Sequence, residues 1–336
     1  MEDKHGHRVS YLRVSVTDRC NERCRYCLPD EVQDWLPSKD VLSFDEILRT
    51  VRVGIGLGID TVRVTGGEPL TRPGVLEFVR ELAVLPGLNH VGVSTNGSLL
   101  ARPCRDDPGK NYAEHLRESG VASLNVSLDS LDRESYREMT GRDFLPRVLE
   151  GLDAARDAGF DAVRINCVLM RGPNEDQLID LVDFAHTRGL LLRFIELMPV
   201  STEHVLTEEN FLSVGRARKR IEERFGELSP APEFRTNGPA SYYDIPGRPQ
   251  RIGFIGAMTN LHFCENCNKL RLTCDGKLRP CLGDHLEFDL KAVLRADGCS
   301  NDDVAEFFRG VVADKPREHS FRDNYEPGRK MIAIGG

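Results

Sequence analysis

The sequence predicts an α/β fold built on a parallel sheet. Three observations carry that prediction. Short β-branched runs alternate with amphipathic stretches of helical period. Six such β/α pairs fit into roughly the first 200 residues, and polar side chains recur inside the runs or near their C-terminal ends. Six pairs are two short of a complete eight-stranded barrel, so the pattern alone admits an open partial barrel or a doubly wound sheet.

The first strand, YLRVSVT (11–17), ends just before a cysteine-rich loop. A helix over 43–58 starts at the N-cap residue Ser43 and stops in glycines. Gly54-x-Gly56-x-Gly58 precedes a strand rather than following one, so it reads as a helix end and not as a dinucleotide-binding turn. The second strand (59–65) runs into Gly66-Gly67-Glu68-Pro69 and a helix over 75–85; the third (90–95) leads into Asn96-Gly97. Residues 101–112 read as an insertion, a surface loop carrying a free Cys104. The fourth strand (121–129) precedes helices near 132–139 and 145–158, the fifth (162–170) a helix over 174–189, and the sixth covers 191–198. The texture then changes. A polar, mostly helical connection over 201–228 is followed by a Pro/Gly-rich stretch (230–250) that suits a loop with a short hairpin. A strand (251–257) and a second cysteine group (264–281) follow. Residues 1–198 are therefore expected to form the α/β body, and 199–336 a smaller α+β extension.

At 40% hydrophobic and 29% charged residues the composition is that of a globular chain with a substantial core. A net charge of −8 argues against a long nucleic-acid partner, while leaving room for a local basic site. The opening MEDKHGHRVS is neither a secretory signal nor an Arg-rich transit peptide, and no apolar run reaches membrane-span length. A cytoplasmic location is expected, where ten cysteines read as metal ligands before they read as disulfides.

Cys20, Cys24 and Cys27 are spaced C-x3-C-x2-C on one loop. A structural zinc site wants four ligands, whereas three thiolates leave a metal position open. His5 or His7 as a fourth zinc ligand is disfavoured, since a whole strand separates them from the cysteines. The loop falls at the edge where Arg13, Arg63, Ser94, Thr95, Ser127, Asp129, Arg164, Asn166, Arg193 and Glu196 also gather, and parallel α/β folds build their sites there. Cys264, Cys267 and Cys281 form a second triplet, C-x2-C-x13-C, with Cys274 between them. Spacing alone leaves open a four-cysteine zinc ribbon or a closed auxiliary cluster. The interleaved Lys269, Arg271, Lys277 and Arg279 point instead to an anionic substrate. There is no P-loop, so a bound nucleotide is held some other way.

The first triplet, with Tyr26 before its last cysteine, and the strand ending TGGEP resemble the radical S-adenosylmethionine enzymes. That resemblance implies a partial (β/α)6 TIM-type barrel and a 4Fe–4S cluster whose open iron is chelated by the cofactor. Taken in order, VTDRCNERCRYCLP, RVTGGEPL, STNG, NVSLDSLD, RFIELMPV, FCENCNKLRLTCDGKLRPCL and the final IGG are similar to the GTP 3′,8-cyclases of molybdenum cofactor biosynthesis, from about residue 10 to the end. The resemblance implies that Cys20, Cys24 and Cys27 hold one 4Fe–4S cluster, and Cys264, Cys267 and Cys281 a second whose open iron faces the guanine. It also implies that Tyr26, Gly67, Ser127 and Met198 contact S-adenosylmethionine, and that Arg13, Arg63, Ser94, Arg164, Lys269, Leu270 and Arg271 bind GTP. Gly335 and Gly336 are expected to enter the site, anchored by Met331, Ile332 and Ile334. The implied reaction is abstraction of the C3′ hydrogen of GTP by a 5′-deoxyadenosyl radical, attack of C3′ on C8 and a second reduction. The implied partners are GTP, an electron donor and a downstream cyclic pyranopterin monophosphate synthase, acting with a monomer or homodimer and no membrane. Arg164, Ser94 and Lys269 depart from the family's usual Lys, Thr and Arg, and Cys274 replaces a small polar residue. The alternatives are a radical enzyme that modifies peptides and carries an auxiliary cluster, and a zinc-stabilised binding module.

Overall fold

The computed structural model describes residues 1–28, 35–104, 107–201, 205–323 and 325–335. Six β/α units come first. Their strands are β1 (Tyr11–Ser15), β2 (Thr61–Thr65), β3 (His90–Thr95), β4 (Ser123–Ser127), β5 (Ala162–Leu169) and β6 (Leu191–Glu196). Their helices are α1 (Phe44–Gly56), α2 (Val75–Ala83), α3 (Tyr112–Glu118), α4 (Arg133–Thr140), α5 (Leu145–Asp157) and α6 (Leu178–Thr187). Then follow α7 (Val214–Phe225), β7 (Ser229–Pro230), β8 (Ser241–Asp244), β9 (Arg251–Ile255), β10 (Lys269–Leu272), β11 (Lys277–Arg279), β12 (Phe288–Asp289), α8 (Leu290–Leu294), α9 (Asn301–Ala313) and α10 (Met331–Ile334).

The strands alternate, and the alternation sorts the side chains. Leu12, Val14, Val62, Val64, Val93, Leu124, Val126, Ile165 and Phe194 join the core under the helices, together with Ile47, Val51, Phe78, Leu116, Val148 and Leu181. With period 2, Arg13, Arg63, Ser94, Asn125, Arg164, Asn166 and Arg193 fall on the opposite, inner face. Helix starts follow local chemistry. Ser43 and Glu46 form a reciprocal capping box on α1, and Asn111 and Glu114 do the same on α3.

The sequence reading is extended in three places. All twelve strands form one open sheet, ordered β12-β11-β10-β1-β2-β3-β4-β5-β6-β9-β8-β7. The C-terminal residues thus continue the sheet at both edges: β9 runs parallel to β6, and β10 parallel to β1. The run KLRL of β10 is too short and too crowded by cysteines to read as a strand on its own. Helix α3 was hidden behind the 101–112 insertion, and Cys104, expected on a surface loop, is buried beneath it. The polar connection after β6 is helical over Val214–Phe225.

Glu196, at the end of β6, joins the two parts of the chain. Its Oε1 accepts from the Val214 N–H (2.9 Å) and the Thr259 hydroxyl (2.5 Å); its Oε2 accepts from the Met258 (2.8 Å) and Thr259 (3.0 Å) N–H groups. The Glu196→Ala variant strands three backbone donors in a buried place. It is expected to lower the unfolding free energy by about 3–5 kcal/mol. Urea unfolding measures this, and a loss below about 1 kcal/mol would mean that water satisfies those donors.

Candidate functional site

The loop after β1 is fastened from three sides. The Gly67 N–H donates to the Thr17 carbonyl and the Glu68 N–H to the Arg19 carbonyl, both at 2.8 Å. A Cβ on Gly67 would lie 2.3 Å from the Arg19 oxygen, so glycine alone permits this approach. Asn21 bonds Ser98 (2.9 Å) and Asn96 (2.7 Å) in the loop after β3. On the third side, Arg23 and Arg25 N–H groups donate to the Thr140 and Met139 carbonyls of α4, and the Tyr136 hydroxyl donates to Glu22 at 2.6 Å. The Tyr26 hydroxyl donates to Asp129 (2.6 Å), whose other oxygen accepts from the Val168 N–H (2.8 Å).

Cys20, Cys24 and Cys27 are free. The Cys20 sulfur accepts the Glu22 N–H at 3.4 Å, and the Cys27 and Leu28 N–H groups both bond the Cys24 carbonyl. Burial pushes the Cys27 thiol up to about 12 and Cys20 and Cys24 well above the ordinary range; Glu22 and Glu68 push Cys20 further. Burial likewise lifts Glu22 to about 8 and Asp129 to about 6. Thiols in such a place are protonated unless a strong Lewis acid takes them, which fits a site that a metal centre completes.

The second triplet is dressed with donors. Backbone N–H groups of His319, Lys269 and Gly283 lie toward the sulfurs of Cys264, Cys267 and Cys281 respectively and favour their ionised forms. N–H groups aimed at sulfur are what a thiolate-ligated cluster uses. Among the described residues, no group of three His, Cys, Asp or Glu side chains can hold a single metal ion. Cys274 lies elsewhere. It is buried in the core, pushed up to about 12 by burial, and its neighbours are Ser15, Asp18 and Asp275 rather than the other three thiols.

The inner face of the sheet carries a half-buried surplus of positive charge. Arg271, Arg13 and Arg63 stand side by side on β10, β1 and β2. Asn125 pairs in register with Ser94 on one side and Arg164 on the other, and Asn166 with Arg193. Burial and mutual repulsion depress these groups, Arg164 to about 10 and Arg271 to about 9, with Arg13, Arg193 and Lys269 also lowered. Arg164 Nε and Asn125 Oδ1 are buried with no partner among the described residues. Arg63 is fixed by Tyr11 (2.7 Å), the Val93 carbonyl (3.1 Å) and Ser123 (3.0 Å). A half-buried cluster of like charges with orphaned polar atoms is stabilised by an anion.

The tail reaches the same place. Met331, Ile332 and Ile334 are buried, and the Gly335 carbonyl accepts from Arg271 at 2.7 Å. Gly335 has φ +86°, and a Cβ there would lie 2.9 Å from Ser15 and 3.0 Å from Thr65, at the C-terminal ends of β1 and β2. Gly336, with the terminal carboxylate, lies outside the described residues.

The remaining sequence-derived residues fall as follows. Met198 packs with Cys27, Leu282 and Met331 in one apolar cluster. Ser127 is exposed at the end of β4. Leu270 is fully buried in the core, so its side chain faces away from the inner face and only its backbone can reach a ligand there. Glu22, Tyr136 and Lys315 were missed, because their roles depend on contacts across the fold. Arg193 and Asn166 were legible as inward residues of period 2 but were not assigned a ligand.

Residues 14–185 match the Radical SAM superfamily, and residues 190–321 match Molybdenum Cofactor Synthesis C. GTP 3′,8-cyclases from Thermodesulfovibrio yellowstonii and Moorella thermoacetica are each 40% identical over the whole of both chains. One from Pseudomonas fluorescens is 41% identical over 99% of this chain and 98% of its own. Among solved structures, Streptococcus suis SuiB bound to S-adenosylmethionine superposes with TM-score 0.59 at 17% identity, over 88% of this chain and 68% of that one. SuiB bound to its precursor peptide SuiA gives 0.62 at 16% identity, over 98% and 76%; the likeness is one of fold. The full-length identity, added to two fastened cysteine triplets around a cationic interior, places the chain in the GTP 3′,8-cyclase family of the radical SAM superfamily.

Proposed function

We propose that this protein cyclises GTP to 3′,8-cyclo-7,8-dihydro-GTP, the first step of molybdenum cofactor biosynthesis. The observation that carries the reading is the half-buried row of cations, in a chain of net charge −8, beside two separate cysteine triplets. Full-length similarity to GTP 3′,8-cyclases favours this over peptide modification or zinc-stabilised binding.

Cys20, Cys24 and Cys27 would hold one 4Fe–4S cluster, and Cys264, Cys267 and Cys281 the other. With S-adenosylmethionine bound, the first centre supplies the one-electron chemistry that lets hydrogen be taken from C3′ of the substrate. The chain's own residues bind, orient and shield. Tyr26, held by Asp129, and Gly67, pressed on the Arg19 carbonyl, form a rigid frame for the cofactor; Met198 gives it an apolar wall, and Ser127 a hydroxyl at the mouth. Arg13, Arg164, Lys269 and Arg271 supply the charge that a triphosphate needs in the absence of a P-loop, with the Leu270 backbone between the last two. Arg63 spends three of its five N–H groups on the protein, which fixes its plane and leaves two for a ligand. Ser94 adds a hydroxyl in register with Asn125. The 1–198 body would thus carry the cofactor, and 199–336 the second centre, part of the nucleotide site and the tail. No helix among the described residues is long and apolar enough to cross a membrane. We place the enzyme in the cytoplasm, as a monomer or homodimer supplied by a reducing electron donor and followed by cyclic pyranopterin monophosphate synthase.

The test is anaerobic incubation of the iron-reconstituted protein with GTP, S-adenosylmethionine and dithionite, followed by mass spectrometry. Formation of 5′-deoxyadenosine together with a cyclised GTP of unchanged triphosphate is expected. A colourless protein that binds zinc and yields neither product would overturn the reading.

A further inference from the structure

Just after α9 stands a lysine that the proposed reaction does not use. Lys315 is only 2% exposed. Its ammonium donates to the Pro280 carbonyl (2.6 Å), the Lys269 carbonyl (3.0 Å) and the Cys267 sulfur (3.6 Å). Three donors are what an ammonium has, so all are used, and no carboxylate is among the partners. Pro280 directly precedes Cys281, and Lys269 lies two residues after Cys267. The ammonium therefore sits where the chain segments carrying these two thiols converge.

A mere structural knot would not need a charge. Burying an ammonium against two carbonyls is costly unless negative charge lies nearby. That charge is to be sought on the thiol side, where the ammonium meets the Cys267 sulfur at 3.6 Å. Around the first triplet, among the described residues, the charges that act on the thiols are the carboxyls Glu22, Glu68 and Asp129, and Arg23 gives its guanidinium to the Cys20 carbonyl rather than to a sulfur. His319, four residues on, turns its backbone N–H toward the Cys264 sulfur, so one short segment attends two of the three thiols.

We propose that Lys315 is a positioning residue of the second triplet: its buried ammonium ties the Cys267 and Cys281 segments together and, on the reading that this triplet holds a 4Fe–4S cluster, raises that cluster's reduction potential. A fixed positive charge and an N–H···S bond both favour the reduced, more negative state. The two centres then differ in electrostatic setting, the second accepting an electron more readily than it would without the lysine.

The experiment uses the full-length chain with Cys20, Cys24 and Cys27 all replaced by Ala, reconstituted with iron and sulfide so that only the second triplet loads. Reduction is followed by electron paramagnetic resonance against a poised dithionite potential. At the midpoint of this parent, the Lys315→Met variant is expected to show a reduced-to-oxidised ratio about tenfold lower, a downward shift of about 59 mV for one electron. Lys315→Arg, which keeps the charge, should stay within about twofold of the parent. An iron-loaded Lys315→Met with an unmoved midpoint overturns the proposal. Should Lys315→Met fail to load, loading of Lys315→Arg but not Lys315→Gln supports it, and failure of both Arg and Gln overturns it. A parent that takes up no iron removes the cluster reading and this inference together, whereas an unmoved midpoint in a loaded protein removes this inference alone.

Discussion

Replacing Cys24 by alanine is expected to abolish formation of 5′-deoxyadenosine from S-adenosylmethionine. The Cys24 carbonyl closes the turn that brings Cys27 back toward it, so the thiol stands as one corner of a three-cornered site. Two thiols cannot retain a 4Fe–4S cluster, and the iron content of the reconstituted protein should fall by about half. The fold should survive, because the loop is fastened through Gly67, Glu68, Arg23 and Arg25, none of which uses the sulfur. A melting-temperature change within about 2–4 °C is expected for a chain of this size. Iron analysis, thermal unfolding and mass spectrometry of the nucleoside read the three outcomes separately. Retained cleavage by the reconstituted variant would sink the assignment of Cys24.

The second large effect concerns the tail. Gly335→Val puts a branched side chain where even a Cβ falls 2.9 Å from Ser15, at φ +86°. The tail must lift away, and the bond from Arg271 to the Gly335 carbonyl is lost with it. A substrate freed from one wall is misplaced by an ångström or so, and cyclised product should fall about 10²-fold while S-adenosylmethionine cleavage stays within about twofold. Deleting Gly335 and Gly336 should give the same split. Product formation equal to wild type in either variant would make the tail a frayed end.

The sequence disclosed the parts of this molecule that obey short-range rules. β-branched runs marked β1 to β6, Ser43 marked the start of α1, and the two cysteine spacings drew attention to the site. Three other features escaped because they are made by distant partners. β10 is a strand because β1, more than 250 residues away in sequence, supplies its parallel ladder, with β11 on its other side. Cys104 is buried, not at the surface, in a loop that folds back so that its N–H meets the Lys110 carbonyl just before α3. The buried lysine after α9 looks like any other in the sequence; its meaning lies in two carbonyls and a sulfur 35 to 48 residues upstream. The inner cations fall between these cases. The sequence gathers Arg13, Arg63, Arg164 and Arg193 at one edge of the strands, but only the register brings Arg271 beside Arg13.

That same register has a consequence for how the protein is made. Tyr11 pairs with Lys269, and until β10 emerges β1 has a neighbour on one side only. At about 5–20 residues per second, a ribosome takes roughly 13–50 s to cover the interval. Throughout that time the nascent chain displays the unpaired backbone of YLRVS, a short apolar edge of the kind that recruits other strands. Truncation before residue 269, slow codons in the last third of the message, or overproduction without chaperones should therefore all push the chain toward aggregation, long before iron or nucleotide becomes relevant.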